Sequence, residues 1–493
     1  MKLASFAGRF VLAATFAFTG GAAAQAPVQD LAKDPRVRQA LTFLEMWMDG
    51  QRAYEAIPGA SAAVVHDQEL VWASGFGLAD RERAAAATPS TVYSICSISK
   101  LFTSVAVMQL RDEGRLRLDD PVEKHLPWFA VKQMYPESGP ITVESLLTHS
   151  AGFQEDPSIP FWTGAFDFPT REKVMASLPS EETLYPAQRH YEYSNLGLLL
   201  AGEIVTAASG TPYSDLVKAR VLDPLGLTST TPEMPSELRG GRLATGHSAR
   251  RRDGTRLPVA FFQTRALAPA AGFASTAEDL ARFASWQFRL LGRGGTEVLA
   301  ANTLREMQRV HFTDPDWKTT RGLGFHVWRA DEKTFVGHGG DCPGFRTALT
   351  LQTDEKIATV FMANANGVAS DTFAQQMYAI VGPAIRAATS KKETAPAFDP
   401  SLSRYAGSYD LAPWGGELIV FPWEEGLAML ELPSSQPVAD LVRLRAVPGR
   451  PHHFRRVREN DVAGEPIDFD VDADGRVLDL RRWNNPFPKV AKR

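Results

Sequence analysis

The chain has little cysteine, little net charge and, past its N-terminal end, no long apolar stretch. Two cysteines, Cys96 and Cys342, in 493 residues allow at most one disulfide, so stability must come from buried apolar surface. Lysine plus arginine total 53 against 57 for aspartate plus glutamate. The resulting charge of −4 is spread along the chain in both signs, which excludes the basic footprint of a nucleic-acid-binding protein. After the N-terminal segment no apolar run reaches the ~20 residues that span a bilayer, so no stable membrane insertion is expected. No Gly-x-Ser-x-Gly elbow occurs, which disfavours the α/β-hydrolase arrangement, and there is no internal repeat or low-complexity tract.

What is present is ordinary globular composition, 44% hydrophobic and 22% charged, in a chain long enough for two or three domains. Lys2 and Arg9, an apolar run at residues 10–18 and small residues beyond it read as a secretory signal over residues 1–24. Cleavage after Ala24 is expected; Ala26 offers a second small-x-small site, but Pro27 follows it directly. No cysteine follows, so no lipid anchor is expected, and the protein is placed in the periplasm or outside a bacterial cell. A disulfide can persist there.

From about residue 37 to 386, helical patterns alternate with short apolar runs at 61–65, 70–74, 347–352 and 357–363, which reads as mixed α/β. Residues 101–112 carry apolar side chains at helical spacing and stop at Gly114; residues 195–209 form a second strong helix closed by Gly210. The stretch between residues 121 and 267, broken by Pro and Gly, reads as a largely helical insertion. A polar, Pro-containing segment within residues 387–400 marks a linker. Beyond it, runs at 417–421, 427–432, 442–447, 467–471 and 477–483 alternate as strands do, so residues 401–493 are expected to form a small all-β domain.

Three short motifs carry chemistry. Ser97-Ile98-Ser99-Lys100 opens the first strong helix, where a spacing of three puts the hydroxyl and the amine on one face, about 5–6 Å apart at Cβ. A desolvated lysine can take the proton of a serine that is otherwise a poor nucleophile. The helix N-terminus adds positive potential where an oxyanion would form. Tyr193-Ser194-Asn195 precedes the second helix, with a phenol able to pass a proton and an amide able to orient a carbonyl. His338-Gly339-Gly340 starts an extended segment whose glycines would let substrate lie against the backbone.

In this order the motifs resemble those of the serine β-lactamase and penicillin-binding-protein superfamily, in its class C-like branch of esterases, D-aminopeptidases and carboxypeptidases. The resemblance covers residues 37–386 and extends to Leu146-Leu147-Thr148-His149-Ser150-Ala151-Gly152, Asp223-Pro224-Leu225-Gly226-Leu227 and Gly272-Phe273-Ala274-Ser275-Thr276-Ala277-Glu278-Asp279-Leu280. It implies a β-lactamase/transpeptidase-like α/β fold: an antiparallel sheet flanked by helices, with a mostly helical subdomain. It also implies cofactor-free hydrolysis of a small ester, amide or D-amino-acid peptide through a Ser97 acyl-enzyme. Lys100 and Tyr193 would share the acid–base work, Asn195 would hold the substrate carbonyl, His338, Gly339 and Gly340 would line the cleft, and the backbone N–H groups of Ser97 and Asp341 would form the oxyanion hole. β-Lactamase or D,D-carboxypeptidase activity is the alternative among enzymes, and a module that is acylated without turnover the alternative outside them. The C-terminal domain resembles lipocalin-like appendages, able to cover the cleft, to mediate self-association or to serve structure alone.

Penicillin-recognising members carry Lys-Thr-Gly where this chain has His338-Gly339-Gly340, so a permanent cation is missing, and Arg346 is the candidate to replace it. Asp470-Val471-Asp472-Ala473-Asp474-Gly475 imitates a calcium loop but has Arg481 at the twelfth position and reads as a hairpin turn. His452-His453 would point to opposite faces of a strand, so no metal site is expected there, and His149 beside Ser150 is poorly placed to act with it as a second catalytic pair. If the motifs meet as in the family, Cys96 and Cys342 approach each other, which resembles the disulfide beside the site of some class A carbapenemases and needs Cα atoms roughly 5.5 Å apart. The denatured, unreduced protein is therefore expected to show no free thiol; two would mean there is no bridge.

Overall fold

Asp34 starts the first helix in the way a short acceptor side chain should, taking the Arg36 N–H at 2.9 Å ahead of Pro35, whose fixed φ suits a first helical position. In this computed structural model, which describes residues 30–161, 163–390 and 399–490, that helix is α1 (Pro35–Tyr54). The expected signal at 1–24 and the polar part of the linker at 391–396 lie outside the described residues. Four longer helices follow: α2 (Ser99–Asp112), α3 (Asn195–Ser209), α4 (Ala277–Arg293) and α5 (Ser370–Thr389). α3 has the bounds read from the sequence, closed by Gly210 at φ 73°, a left-handed cap that glycine adopts without strain. Between residues 121 and 267 the regular elements among the described residues are helices, most of them a turn or two long.

Nine strands form one antiparallel sheet. They are β1 (Gly59–His66), β2 (Glu69–Asp80), β3 (Ala85–Ala86), β4 (Phe312–Thr313), β5 (Thr320–Arg321), β6 (His326–Ala330), β7 (Lys333–Cys342), β8 (Phe345–Gln352) and β9 (Ile357–Ala363). Their order is β3-β2-β1-β9-β8-β7-β6-β5-β4. The N-terminal hairpin thus joins strands made three hundred residues later through the β1–β9 pairing, Ala60 opposite Ala363 to His66 opposite Ile357. Strand alternation sorts the side chains: Ala63 and Val65 enter the core that holds α2 and α4, while Ala60, Ala62 and Val64 face the core that holds α1 and α5. α2 is buried almost all round, as a helix with apolar residues on every face must be.

The C-terminal eight strands close into a barrel: β10 (Gly407–Asp410), β11 (Glu417–Trp423), β12 (Gly426–Leu432), β13 (Val442–Ala446), β14 (His453–Val457), β15 (Ala463–Val471), β16 (Val477–Arg482) and β17 (Asn485–Val490). Closure leaves no open sheet edge. Leu418, Val420, Leu427 and Met429 fill the lumen, while Ile419, Phe421, Ala428 and Leu430 point outward into the core shared with α1 and α5. One stripe of α1 carries this contact. Gln39 exchanges two hydrogen bonds with the Glu424 backbone (3.1 and 2.9 Å), Phe43 stacks on Phe421 at 4.7 Å, and Trp47 Nε1 donates to Ser434 O at 2.9 Å. Gln51 Oε1 accepts from Ser434 N at 2.8 Å, and Gly50 leaves the space that Leu432 occupies. The barrel therefore sits on the side of the sheet opposite α2.

The acidic run at residues 470–475 is the β15–β16 turn, where Asp472 accepts the N–H groups of Asp474 and Arg476 and pairs with the Arg476 side chain. His452 meets the Tyr405 hydroxyl at 2.7 Å while His453 pairs with Asp468 across the strands, so the two rings diverge. Among the described residues no helix is long and apolar enough to cross a membrane. Trp47 is buried, carries a hydrogen bond to the barrel and packs against Phe373 at 5.2 Å. Trp47→Ala is expected to cost about 3–5 kcal/mol in chemical denaturation.

Candidate functional site

The nucleophile turn is fixed before the helix begins. Ile95 N donates to Phe273 O at 2.8 Å, Cys96 takes a left-handed φ of 51°, and a single 3₁₀ turn carries Ser97 into α2. A non-glycine residue holds that backbone conformation only when its surroundings impose it. Cys96 is bonded to Cys342 at the end of β7, with Cα atoms 5.7 Å apart, so the residue before Ser97 is tied to the cleft strand. Gly340 lies alongside. A Cβ there would fall 2.4 Å from Ile95 O and 2.2 Å from Thr347 Oγ1, so glycine is needed at this position for strand packing, where the sequence suggested room for substrate. Gly339 is less confined, a Cβ meeting Asp371 Oδ1 at 3.0 Å.

Lys100 stands one turn beyond Ser97 and is wholly buried. Its Nζ faces three acceptors: Ser97 Oγ at 3.1 Å, Asn195 Oδ1 at 2.7 Å and Ala270 O at 2.8 Å. Each acceptor comes from a different part of the fold. The segment 268–272 is wedged between α2 and α3, with Thr103 Oγ1 donating to Pro269 O at 2.6 Å and Gly202 leaving room for the Pro269 ring. Burial pushes the Lys100 amine down to about 7, against the opposing pull of the Asp156 and Glu155 carboxylates.

Tyr193 completes the group. Its hydroxyl donates to Ser97 Oγ at 2.7 Å, and the Lys100 ammonium lies 4.7 Å from the centre of its ring. Burial raises the phenol well above its ordinary range, so it is protonated throughout the physiological range. Asn195 begins α3. Its Nδ2 donates to Asp156 Oδ1 at 2.9 Å, so one amide proton is engaged and one remains for a substrate. Residues 154–156 dock on the N-terminus of α3, where Glu155 O accepts from Asn195 N at 2.6 Å and Ser194 Oγ donates to Gln154 O at 2.8 Å. Asp156 is absent from every motif, and only this docking reveals it.

Three imidazoles form the facing wall. His338, in the middle of β7 and not at a strand start, contacts Gly339 O through Nδ1 at 2.6 Å, which places the ring proton on Nδ1. Burial first, and then Lys100, lower it to about 3. It is therefore neutral, so the strand presents no cation at the motif position. His326 lies 4.1 Å from it, ring to ring, and His149 stacks on Tyr193 at 4.4 Å while accepting from Ser194 N at 3.0 Å. The Nε2 atoms of all three rings have no hydrogen-bond partner among the described residues. Adjacency sets His149 apart from Ser150, and the two do diverge, since Ser150 Oγ meets Thr148 Oγ1 at 2.9 Å; no sequence motif marks the wall position of His149 or His326.

Asp341, whose N–H the resemblance assigns to the oxyanion hole, precedes Cys342 on β7, two residues beyond Gly339. Its carboxylate pairs with Arg346 at 2.6 Å, so the arginine proposed as a replacement cation is already matched by an acid. A different arginine stands closer to the site. Arg321, on β5, lies over the Tyr191 ring at 4.1 Å and acts electrostatically on His149, Tyr193, His326 and His338. It makes no ion pair with an acidic group among the described residues.

A model of the Beta-lactamase family matches residues 44–381. Penicillin-binding protein 4 of Amycolatopsis lactamdurans is 28% identical over 340 residues, 68% of this chain and 87% of that protein. Beta-lactamase-like protein 2 of Dictyostelium discoideum is 25% identical over 366 residues, 72% of this chain and 65% of the relative's length. The octameric penicillin-binding protein homologue from Pyrococcus abyssi has a similar structure at a TM-score of 0.61 and 22% identity, over 91% of this chain and all of that one. The D-stereospecific amidohydrolase from Streptomyces sp. gives 0.56 at 24% identity, over 68% and 97%. At such identities the two structures speak for the fold.

The lowered lysine has a consequence for stability. Its folded pKa of about 7 lies below the ordinary 10.5, so between these values the unfolded chain binds more protons and stability rises with pH. Lys100→Met removes the titrating amine with an unbranched side chain one heavy atom shorter. Relative to the wild type, the variant is expected to gain stability as pH falls from about 10 towards 7 and to level off below, measured by urea denaturation across pH.

Proposed function

The chain belongs to the β-lactamase family, a family mostly of serine hydrolases, and we propose that it cleaves a small ester, amide or D-amino-acid peptide through an acyl-enzyme on Ser97. The observation that carries this reading is the shared position of Ser97 Oγ, 3.1 Å from a lysine amine held near 7 and 2.7 Å from a protonated phenol. When Lys100 is neutral, its lone pair takes the Ser97 proton as Oγ adds to the carbonyl carbon. Charge developing on the carbonyl oxygen would be met by the N–H groups of Ser97 and Asp341. Tyr193 or the newly formed Lys100 ammonium then passes a proton to the leaving alcohol or amine as its bond to carbon breaks. Water adds to the acyl-enzyme by the reverse path, releasing the acid and returning the proton to Ser97.

A second reading concerns the substrate. A neutral His338 offers no charge to a carboxylate, which favours uncharged esters and amides. Arg321, with no acidic partner among the described residues, favours a substrate carrying a carboxylate, as a D-amino-acid peptide or a β-lactam does. The names of two similar proteins, a penicillin-binding protein and a D-stereospecific amidohydrolase, agree with the second. A site that is acylated without turnover would accumulate adduct and release no product.

Two measurements test the proposal. Intact-protein mass spectrometry after a fluorophosphonate should show one adduct on the wild type and none on Ser97→Ala, alongside turnover of p-nitrophenyl esters, D-amino-acid amides and a chromogenic cephalosporin that falls by at least about a thousandfold in the variant. An adduct on Ser97→Ala, or on neither protein, overturns the assignment of the nucleophile. Because neutral Lys100 is the proton acceptor, kcat/KM should rise with pH through about 7 and level above it. A profile flat across that range would remove Lys100 from the role.

A further inference from the structure

The barrel lumen is closed at one end and charged at the other. Tyr405, Phe454 and Phe469 fill the closed end, with ring centres 4.6 to 5.5 Å apart. Towards the other end lies a cavity of about 450 Å³, within the range of small-molecule sites, roughly 300–1,000 Å³. Strand register decides which side chains enter it, since directly opposed residues of an antiparallel pair point to the same side of the sheet. Arg456 opposes Leu444, which opposes Leu427, and both leucines belong to the lumen core. Arg482 opposes Ile467, and Glu431 opposes Leu418, again lumen residues. Two guanidinium groups and a carboxylate therefore project inward, where a packed barrel would carry apolar side chains.

These charges do not neutralise one another. Arg456 and Arg482 form no ion pair with any described residue; Arg482 instead lies 4.0 Å over the ring of Trp483, at the rim. Glu431 turns towards Gly415, where its Oε1 comes within 2.7 Å of the position of a Cβ, and Asp440 accepts from Ser434 Oγ at 2.6 Å. Half-buried guanidinium groups beside Leu418, Met429 and Val442 are costly without an anion and well suited to one, because the planar fork matches a carboxylate. We propose that the barrel mouth, lined by Arg456, Arg482 and an apolar floor of Leu418, Met429 and Val442, is a binding site for a carboxylate-bearing amphiphile, separate from the Ser97 cleft. The carboxylate sits between the two arginines and the apolar chain lies along the floor. The site shares no residue with the proposed catalytic group, so it stands or falls independently of that reading.

Calorimetric titration of the full chain carrying Ser97→Ala with decanoate, decanol and decyltrimethylammonium tests the site. Decanoate should bind at one site per chain, with decanol and the cation at least about tenfold weaker. Arg456→Gln with Arg482→Gln should weaken decanoate by at least about tenfold, while the same pair in the Ser97 protein leaves ester turnover unchanged. Val442→Trp keeps both arginines and fills the floor, so it should abolish binding even if the arginine pair fails to fold. Equal affinity for decanoate and decanol, undiminished binding in the double variant or in Val442→Trp, or no binding at millimolar decanoate would each overturn the proposal.

Discussion

The amine of Lys100 is the constraint around which the first domain is arranged. An ammonium group stripped of water needs an acceptor for each proton, and no single element can supply three. Here one comes from the turn before α2, one from the first residue of α3 and one from the segment wedged between those helices. Moving any of the three withdraws an acceptor from a buried cation. The proton affinity of the lysine and the packing of two helices are in this way one property. A side chain that weakens the fold at neutral pH is kept at its centre, which is the usual relation between a working site and the stability around it.

The turn before Ser97 is held with similar redundancy. Its left-handed Cys96 is constrained from the inside by the backbone bond of the preceding Ile95 to Phe273 and from the cleft side by the link to Cys342, and Gly340 lets β7 approach closely enough for that link to form. The helix bearing the hydroxyl and the strand facing it are thus referenced to one another by covalent and steric contacts. Neither relies on a loop for its position. This suits a site in which distances of a few tenths of an ångström decide whether a proton moves.

Much of this was legible because local chemistry and global fold agree. The bounds of α3 follow from an unbroken apolar run between a serine cap and a glycine, and Ser97, Lys100, Tyr193, Asn195 and the two cysteines meet where the motif order suggests. Asp156, Arg321 and His326 were not legible, because each reaches the site through the packing of elements distant in sequence and no spacing rule connects them to a motif. Three barrel strands also escaped. β10 is four residues long, β14 is rich in arginine, and β17 contains Pro486 and Pro488, which weaken a strand pattern by removing N–H donors. The glycines after His338 read alike in the sequence, as room for substrate, whereas Gly340 serves the close approach of the backbone to Ile95 and Thr347, a distinction that composition cannot make.

The seating of the barrel on α1 sets an order of events during synthesis. α1 is among the first parts of the domain made, yet β1 beside it finds its sheet partner only at residues 357–363, and the stripe from Gln39 to Gln51 is covered only when residues 421–434 arrive. Contacts spanning nearly four hundred residues form late and slowly. A chain interrupted before residue 434 would keep that stripe bare and display it to proteases, so the arrival of β11 and β12 acts as the check that the first domain has received its cover.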